Sequence, residues 1–361
     1  MSKKILVLAN NSDGLYGFRK ELLTALAKHS ELYASTPDNG YFESLHAIGC
    51  HVLETMIDRR GINPLTDFSL FVRYLRMIKR IRPNLVITYT IKPNIYGGLA
   101  CRLLDIPYAA NITGLGTAFQ KSGALRTLVS TMYRFSLKKA RVVFFENAGN
   151  METLLNEGIV NQNQCKLLPG AGVNLEHYAF AEYPTEEMPI RFLFMGRVMR
   201  EKGVDELFEA MHRLHQEGIL CTLDVLGSYE EHYEETIHRF EAEGWLHYHG
   251  YQKDVRPFIR NSHCFVLPSW HEGMANTNLE CAAMGRPLIT SRIHGCMEAV
   301  IEGESGFLCE PQNTDSLYEA MVRFCETPQN KREAMGRAGR RHMEEVFDKG
   351  KVVAETLERI I

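Results

Sequence analysis

Short apolar runs alternate along this chain with longer stretches in which apolar residues return every third or fourth position. The first run, residues 5–9, leads into Asn10-Asn11-Ser12-Asp13-Gly14 and then into a stretch carrying Phe18, Leu22, Leu23 and Leu26 on one helical face. A strand, a polar glycine-bearing loop and a helix form a doubly wound opening, although the loop is not G-x-G-x-x-G and the dinucleotide fingerprint is absent. The same pattern predicts strands at 31–35, 51–54, 85–90, 108–112, 142–146 and 164–168, with helices between them. Continuous apolar strands separated by helices imply a parallel sheet covered on both faces.

A second series follows the turn-rich Pro169-Gly170-Ala171-Gly172-Val173-Asn174, with strands predicted at 190–195, 221–226, 246–249, 264–267, 288–291 and 306–309. The expected organisation is therefore two Rossmann-like α/β domains, 1–170 and 171–345, facing a central cleft. A final helix within 346–361 is expected to pack back on the first domain.

Two stretches of the second half carry chemistry. Ser269-Trp270-His271-Glu272-Gly273-Met274-Ala275-Asn276-Thr277-Asn278-Leu279-Glu280 follows the run 264–267 and opens a short helix that Gly285 and Pro287 stop. Glu272 then lies on the loop at the carboxyl end of a strand, while Glu280 falls near the first turn of the helix and leans back toward its start. Unpaired N–H groups at a helix start suit a phosphate or diphosphate, and carboxylates suit hydroxyls. The second stretch, Met195-Gly196-Arg197-Val198-Met199-Arg200-Glu201-Lys202-Gly203, also follows a strand. It offers the planar fork of Arg197 and the point charge of Lys202 to a diphosphate.

Composition adds limits. With 45% hydrophobic and 24% charged residues over 361 positions, the chain is of ordinary globular type. No apolar run reaches the roughly 18 residues of a membrane span, and Met1-Ser2-Lys3-Lys4 lacks the form of a secretory signal, so a cytoplasmic location is expected. Nine cysteines without a C-x-x-C pair argue against a disulfide framework and a structural zinc site. Charge is uneven: residues 1–170 hold 21 Lys+Arg against 12 Asp+Glu, and the remainder holds 20 against 32. Between Asp67 and Glu146 the only acid is Asp105, which points the first half toward an anionic partner.

Taken together, Gly196 to Gly203, the Glu272/Glu280 pair with seven residues between them and Gly285-Arg286-Pro287 resemble the donor-binding motifs of retaining GT-B glycosyltransferases, in particular glycosyltransferase family 4. The similarity extends to Leu226-Gly227-Ser228, Gly250-Tyr251, Gly172-Val173-Asn174, and Glu298 with Gly306. The resemblance implies the GT-B fold and a UDP-sugar donor carrying a hexose or N-acetylhexosamine. It assigns donor-sugar hydroxyls to Glu272, backbone amides for sugar and diphosphate to Gly273, Met274, Ala275, Asn276 and Thr277, and the ribose to Glu280. Arg197, Lys202 and Gly196 would hold the diphosphate, Gly250 and Tyr251 would line the base, and Gly14 would approach the phosphates from the first domain. No D-x-D occurs, so no metal is implied. Two departures stand out. Ala275 replaces a common proline, and Thr113 follows the first-domain strand where many members have a histidine, which makes Thr113 a candidate contact in its place, the alternatives being a backbone group or loss of the role.

Within the family, Thr88-Tyr89-Thr90-Ile91-Lys92-Pro93-Asn94 and Thr113-Gly114-Leu115-Gly116-Thr117 resemble the bacterial capsule, O-antigen and lipid-linked glycan assembly branch. That resemblance implies a polyprenyl-diphosphate-linked sugar as acceptor, with Lys92 a candidate for its phosphate. Residues 120–145 carry Lys121, Arg126, Arg134, Lys138, Lys139 and Arg141 without an acid, interleaved with apolar residues. This predicts a cationic amphipathic helix docking on the anionic inner face of the cytoplasmic membrane. Nucleic acid is not implied, because no basic-aromatic module is present. A UDP-sugar 2-epimerase of the same fold and a non-catalytic nucleotide-sugar-binding protein are the alternatives.

Overall fold

The computed structural model describes residues 3–58, 61, 63–116, 119, 123–185 and 188–360. It divides into two compact units, Met1–Ala171 with Gly350–Ile361, and Gly172–Lys349.

Unit 1 contains strands β1 (Lys3–Leu8), β2 (Ser30–Thr36), β3 (Cys50–Glu54), β4 (Leu85–Tyr89), β5 (Tyr108–Ile112), β6 (Val142–Phe145) and β7 (Cys165–Leu167). Between them run helices α1 (Ser12–Ala27), α2 (Phe42–Ala47), α3 (Pro64–Ile81), α4 (Gly98–Leu103), α5 (Ala124–Leu137) and α6 (Ala148–Asn156). The sheet is parallel, in the order β3-β2-β1-β4-β5-β6-β7. Alternation along β1 explains its two-sided burial: Leu6 and Leu8 enter one apolar cluster, Ile5 and Val7 the other.

Unit 2 contains β8 (Ile190–Met195), α7 (Val204–Gln216), β9 (Cys221–Leu226), α8 (Glu234–Ala242), β10 (Leu246–Gly250), α9 (Arg256–Asn261), β11 (Cys264–Leu267), α10 (Asn276–Ala283), β12 (Leu288–Ser291), β13 (Gly306–Cys309), α11 (Thr314–Glu326) and α12 (Gln329–Val346). Its parallel order, β10-β9-β8-β11-β12-β13, repeats the pattern of unit 1. The last helix, α13 (Lys349–Ile360), belongs to unit 1 apart from its first residue. Val352 and Ile360 enter the cluster that holds Ile5, and Arg141 Nη1 donates to the Ile360 carbonyl at 3.2 Å.

Helix starts follow local polar chemistry. Asn11, Asn63, Asn147 and Asn313 accept from backbone N–H groups at the starts of α1, α3, α6 and α11.

Candidate functional site

In a doubly wound sheet, ligands gather beyond the carboxyl ends of the strands where strand order reverses. In unit 2 that point lies between β8 and β11, which pair directly, Phe265 opposite Leu193. The loop leaving β8 carries Gly196, Arg197 and Lys202, and the loop leaving β11 carries Glu272. Strand pairing thus brings together two motifs about seventy residues apart in sequence.

The two loops bind each other closely. Lys202 Nζ forms an ion pair with Glu272 Oε1, both side chains largely buried, and Ser269 Oγ donates to the same oxygen at 2.8 Å. The Trp270 N–H donates to the Glu201 carbonyl at 3.0 Å, and the Arg200 guanidinium lies 5.3 Å over the Trp270 ring. Gly203 sits at φ +72°, and a Cβ there would fall 2.1 Å from the Pro268 carbonyl oxygen, so a side chain would force the loops apart. Arg197 differs. Its side chain is 47% exposed, with Nη1 3.7 Å from Glu230 Oε2, leaving the fork open to a ligand.

The start of α10 carries no side-chain cap, so the amides of Asn276 and Thr277 have no partner within the helix and face its positive end. Ala275 requires a correction. Its N–H donates to the Gly295 carbonyl at 2.7 Å, so that amide is engaged inside the protein and is not offered to a ligand. Gly295, at φ +92°, reaches this position because it has no Cβ, which would lie 2.6 Å from the Gly273 carbonyl oxygen. Met274 and Ala275 are buried and act as props of the loop, while Gly273 is half-buried.

Glu280 is the fifth residue of α10, just past its first turn. Burial pushes its carboxyl up to about 7, against the opposing effects of the hydrogen bond from Tyr178 and the charge of Lys349. Part of the side chain remains open to solvent. At the far side, the Gly250 carbonyl accepts from the Gly227 N–H at 2.8 Å, and Tyr251 is 65% exposed. Tyr248 stacks on Tyr229 at 4.6 Å and donates to the Gly227 carbonyl at 2.8 Å, tying together the ends of β9 and β10.

Unit 1 alters several expectations. Gly14 is not in a loop: Asn11, three residues before the glycine, caps α1 and accepts the Gly14 N–H at 3.1 Å. A Cβ at Gly14 would make only ordinary contacts of 4.0 Å, so no close backbone approach requires a glycine there. Thr113 is half-buried at the bend after β5. Lys92 is not a lone cation; its Nζ lies 2.6 Å from Asp67 Oδ1. In α5, Arg126 and Arg134 turn to Glu157, one to its carboxylate and one to its carbonyl, each at 2.7 Å. Arg141 is bound at Ile360, and Lys139 lies 3.6 Å from Asp105. Lys121 and Thr117 lie outside the described residues. What α5 exposes is chiefly apolar, Leu125, Leu128 and Phe135.

Sequence reasoning missed Tyr178 and Lys349, about one hundred and seventy residues apart, which meet Glu280 only in the fold. Ser269 was legible as the first residue of the stretch that carries Glu272. Among the described residues no group of three His, Cys, Asp or Glu is arranged to hold a metal ion.

Comparison with known proteins shows which families the chain matches. The family described as glycosyl transferases group 1 matches residues 178–342, and the glycosyl transferase 4-like family matches residues 4–147. An N,N'-diacetylbacillosaminyl-diphospho-undecaprenol alpha-1,3-N-acetylgalactosaminyltransferase of Campylobacter jejuni is 26% identical over 334 residues, 88% of each chain. A UDP-Gal:alpha-D-GlcNAc-diphosphoundecaprenol alpha-1,3-galactosyltransferase of Escherichia coli is 25% identical over 73% of this chain and 72% of that one. Among solved structures, Anabaena HepE in complex with UDP and glucose superposes with a TM-score of 0.79 at 15% identity, covering 99% of this chain and 98% of that one, a likeness of fold.

Proposed function

Because this chain belongs to the family 4 glycosyltransferases of GT-B fold, we propose that it transfers a hexose or N-acetylhexosamine from a UDP-sugar to a polyprenyl-diphosphate-linked sugar, with retention of configuration. The observation that carries the reading is the meeting of Lys202 and Glu272 at the switch point of unit 2, beside the uncapped start of α10. The diphospho-undecaprenol acceptors of the Campylobacter and Escherichia relatives support the lipid-linked acceptor. The epimerase and non-catalytic alternatives have no such support.

In this mechanism Arg197, Lys202 and the Asn276 and Thr277 amides hold the diphosphate, Glu272 accepts from donor-sugar hydroxyls and Glu280 from the ribose. The acceptor hydroxyl attacks the anomeric carbon on the face that the diphosphate leaves; its oxygen bonds to that carbon as the carbon–phosphate-oxygen bond breaks. The hydroxyl proton passes to the departing phosphate oxygen. Charge accumulates on that oxygen, and preorganised cations and amides stabilise it more than the ground state. No metal is required.

We further propose that unit 1 rests on the cytoplasmic membrane face. Among the described residues no helix is long and apolar enough to cross a membrane. Support for peripheral contact comes from the exposed apolar side chains of adjacent helices: Leu65 and Phe68 on α3, Leu103 on α4, and Leu128 and Phe135 on α5. The exposed cations Arg73, Arg76 and Lys138 accompany them. Flotation with anionic liposomes tests this part: a Leu128→Glu/Phe135→Glu variant should stay at the bottom of the gradient, and equal flotation would refute it.

For the reaction itself, the purified protein is incubated with a UDP-sugar panel and a polyprenyl-diphosphate-linked acceptor, and the product is read by proton NMR. A disaccharide with the donor's anomeric configuration is expected. An inverted linkage, or no product with any donor, overturns the proposal.

A further inference from the structure

The switch point of unit 1 lies between β1 and β4, and the chain leaving β4 there is strained. Thr90 has φ +72°, a left-handed conformation rare for a β-branched residue and costing about 1–3 kcal/mol in general. Immediately afterwards Pro93–Gly97 winds as a π-helical turn, a rare form frequently found at functional sites.

A buried amide clasp holds these two irregularities. Thr88 Oγ1 donates to Asn94 Oδ1 at 2.6 Å, Asn94 Nδ2 donates to the Asn111 carbonyl at 2.8 Å, and Asn111 Nδ2 returns to the Thr88 carbonyl at 3.2 Å. The clasp joins β4, the turn and β5, and its consequence is the placement of two side chains. Lys92 Nζ donates to Asp67 Oδ1 at 2.6 Å, and Tyr96 Oη donates to Asp67 Oδ2 at 2.9 Å. Both oxygens of Asp67 are thereby occupied from the turn.

Asp67 also lines a cavity of about 410 Å³, with Met56, Leu65, Leu70 and Arg73 among its walls. The Asp58 carboxylate in that wall accepts the Gly61 N–H at 2.8 Å. An ammonium has three N–H donors, so Lys92 keeps donors beyond the one given to Asp67. A largely buried ion pair is weak evidence of stabilisation. Its combination with a strained strand end, a π-helical turn and an open cavity that Asp67 itself lines, between the segment after β3 and α3, favours ligand binding.

We infer that Asp67 is a positioning residue for acceptor recognition: it fixes the Lys92 ammonium beside this cavity so that Lys92 meets the diphosphate of the lipid-linked acceptor, with Tyr96 locking the carboxylate from its other oxygen. The inference rests on the acceptor class proposed above.

Steady-state kinetics on the full chain test it, with a UDP-sugar and a polyprenyl-diphosphate-linked sugar. Asp67→Asn should raise the acceptor KM about tenfold, the scale of one charge-assisted contact, and leave the donor KM unchanged. Lys92→Met should raise the acceptor KM at least as far, and the double variant should be no worse than Lys92→Met alone, because Asp67 acts through Lys92. If Asp67→Asn fails to fold, Lys92→Met with Asp67 intact carries the test. An unchanged acceptor KM in Lys92→Met, an equal rise in both KM values, or multiplying effects in the double variant overturns the inference while the transferase reading stands. A wild-type protein that transfers to no lipid-linked acceptor instead overturns that reading and this inference with it.

Discussion

Lys202 and Glu272 are bound to each other, with Ser269 donating to the same carboxylate oxygen. Each has a proposed partner on the donor, so donor binding exchanges one internal ion pair for two contacts to substrate. Lys202→Met leaves Glu272 buried without its cation, whereas Glu272→Gln keeps the shape and removes the charge. Lys202→Met is expected to lower kcat by about a hundredfold, the scale of one lost charge-stabilising donor. Glu272→Gln should act mainly through donor discrimination. Initial-rate kinetics with UDP-sugars differing at one hydroxyl separate the two: equal losses across the panel for Glu272→Gln would contradict the assignment.

Gly203 allows the loops after β8 and β11 to touch. A methyl group at Gly203 would meet the Pro268 carbonyl at 2.1 Å in a backbone conformation that L-residues avoid. Gly203→Ala should cost about 2 kcal/mol or more of stability, combining strain and overpacking. It should also weaken UDP binding by displacing Lys202. Urea denaturation and calorimetric titration with UDP read both effects; wild-type values in both would remove the contact from the account.

Glu280 supplies a pH signature. Its carboxyl is raised to about 7 in the folded chain, chiefly by burial, from an ordinary value of 4.5. The folded protein therefore holds a proton that the unfolded chain releases between about pH 4.5 and 7, and this group's contribution to stability falls as pH rises through that window. Glu280→Gln should flatten that part of the curve, gaining on the wild type as pH goes from 5 to 8. Thermal denaturation at intervals across this range is the check, and parallel curves would contradict it. On the ribose assignment, wild-type UDP affinity should also rise with pH as the carboxylate forms.

Thr90 predicts a gain in stability. Thr90→Gly removes a β-branched side chain from φ +72° and should stabilise unit 1 by about 1 kcal/mol after the greater flexibility of the unfolded glycine is counted. A melting temperature at or below the wild-type value would show that the backbone there is not strained.

Much of the architecture was legible in the sequence because parallel strands buried on both faces read as uninterrupted apolar runs. The predicted strands 108–112, 190–195, 221–226, 264–267, 288–291 and 306–309 coincide with β5, β8, β9, β11, β12 and β13. Strand order then explains why Lys202 and Glu272 meet. Three features were hidden. Asn11, not Gly14, sets the start of α1, because a side-chain cap outranks a glycine that the helix tolerates. The basic residues around α5 looked available, yet Glu157 and the Ile360 carbonyl, distant in sequence, engage Arg126, Arg134 and Arg141. Asp67 stands alone in its segment and gains meaning only when α3 packs beside the turn after β4. Each depends on a contact between distant residues or on competition between neighbours, which periodicity does not record.

The most direct test of the central claim is nucleotide release coupled to transfer. Wild-type protein with a matched UDP-sugar and a polyprenyl-diphosphate-linked sugar should release one UDP for each disaccharide formed, and Glu272→Ala with the same substrates should release almost none. Failure of UDP-, GDP- and ADP-sugars alike to yield a nucleotide diphosphate with that acceptor, or undiminished release by Glu272→Ala, would contradict it.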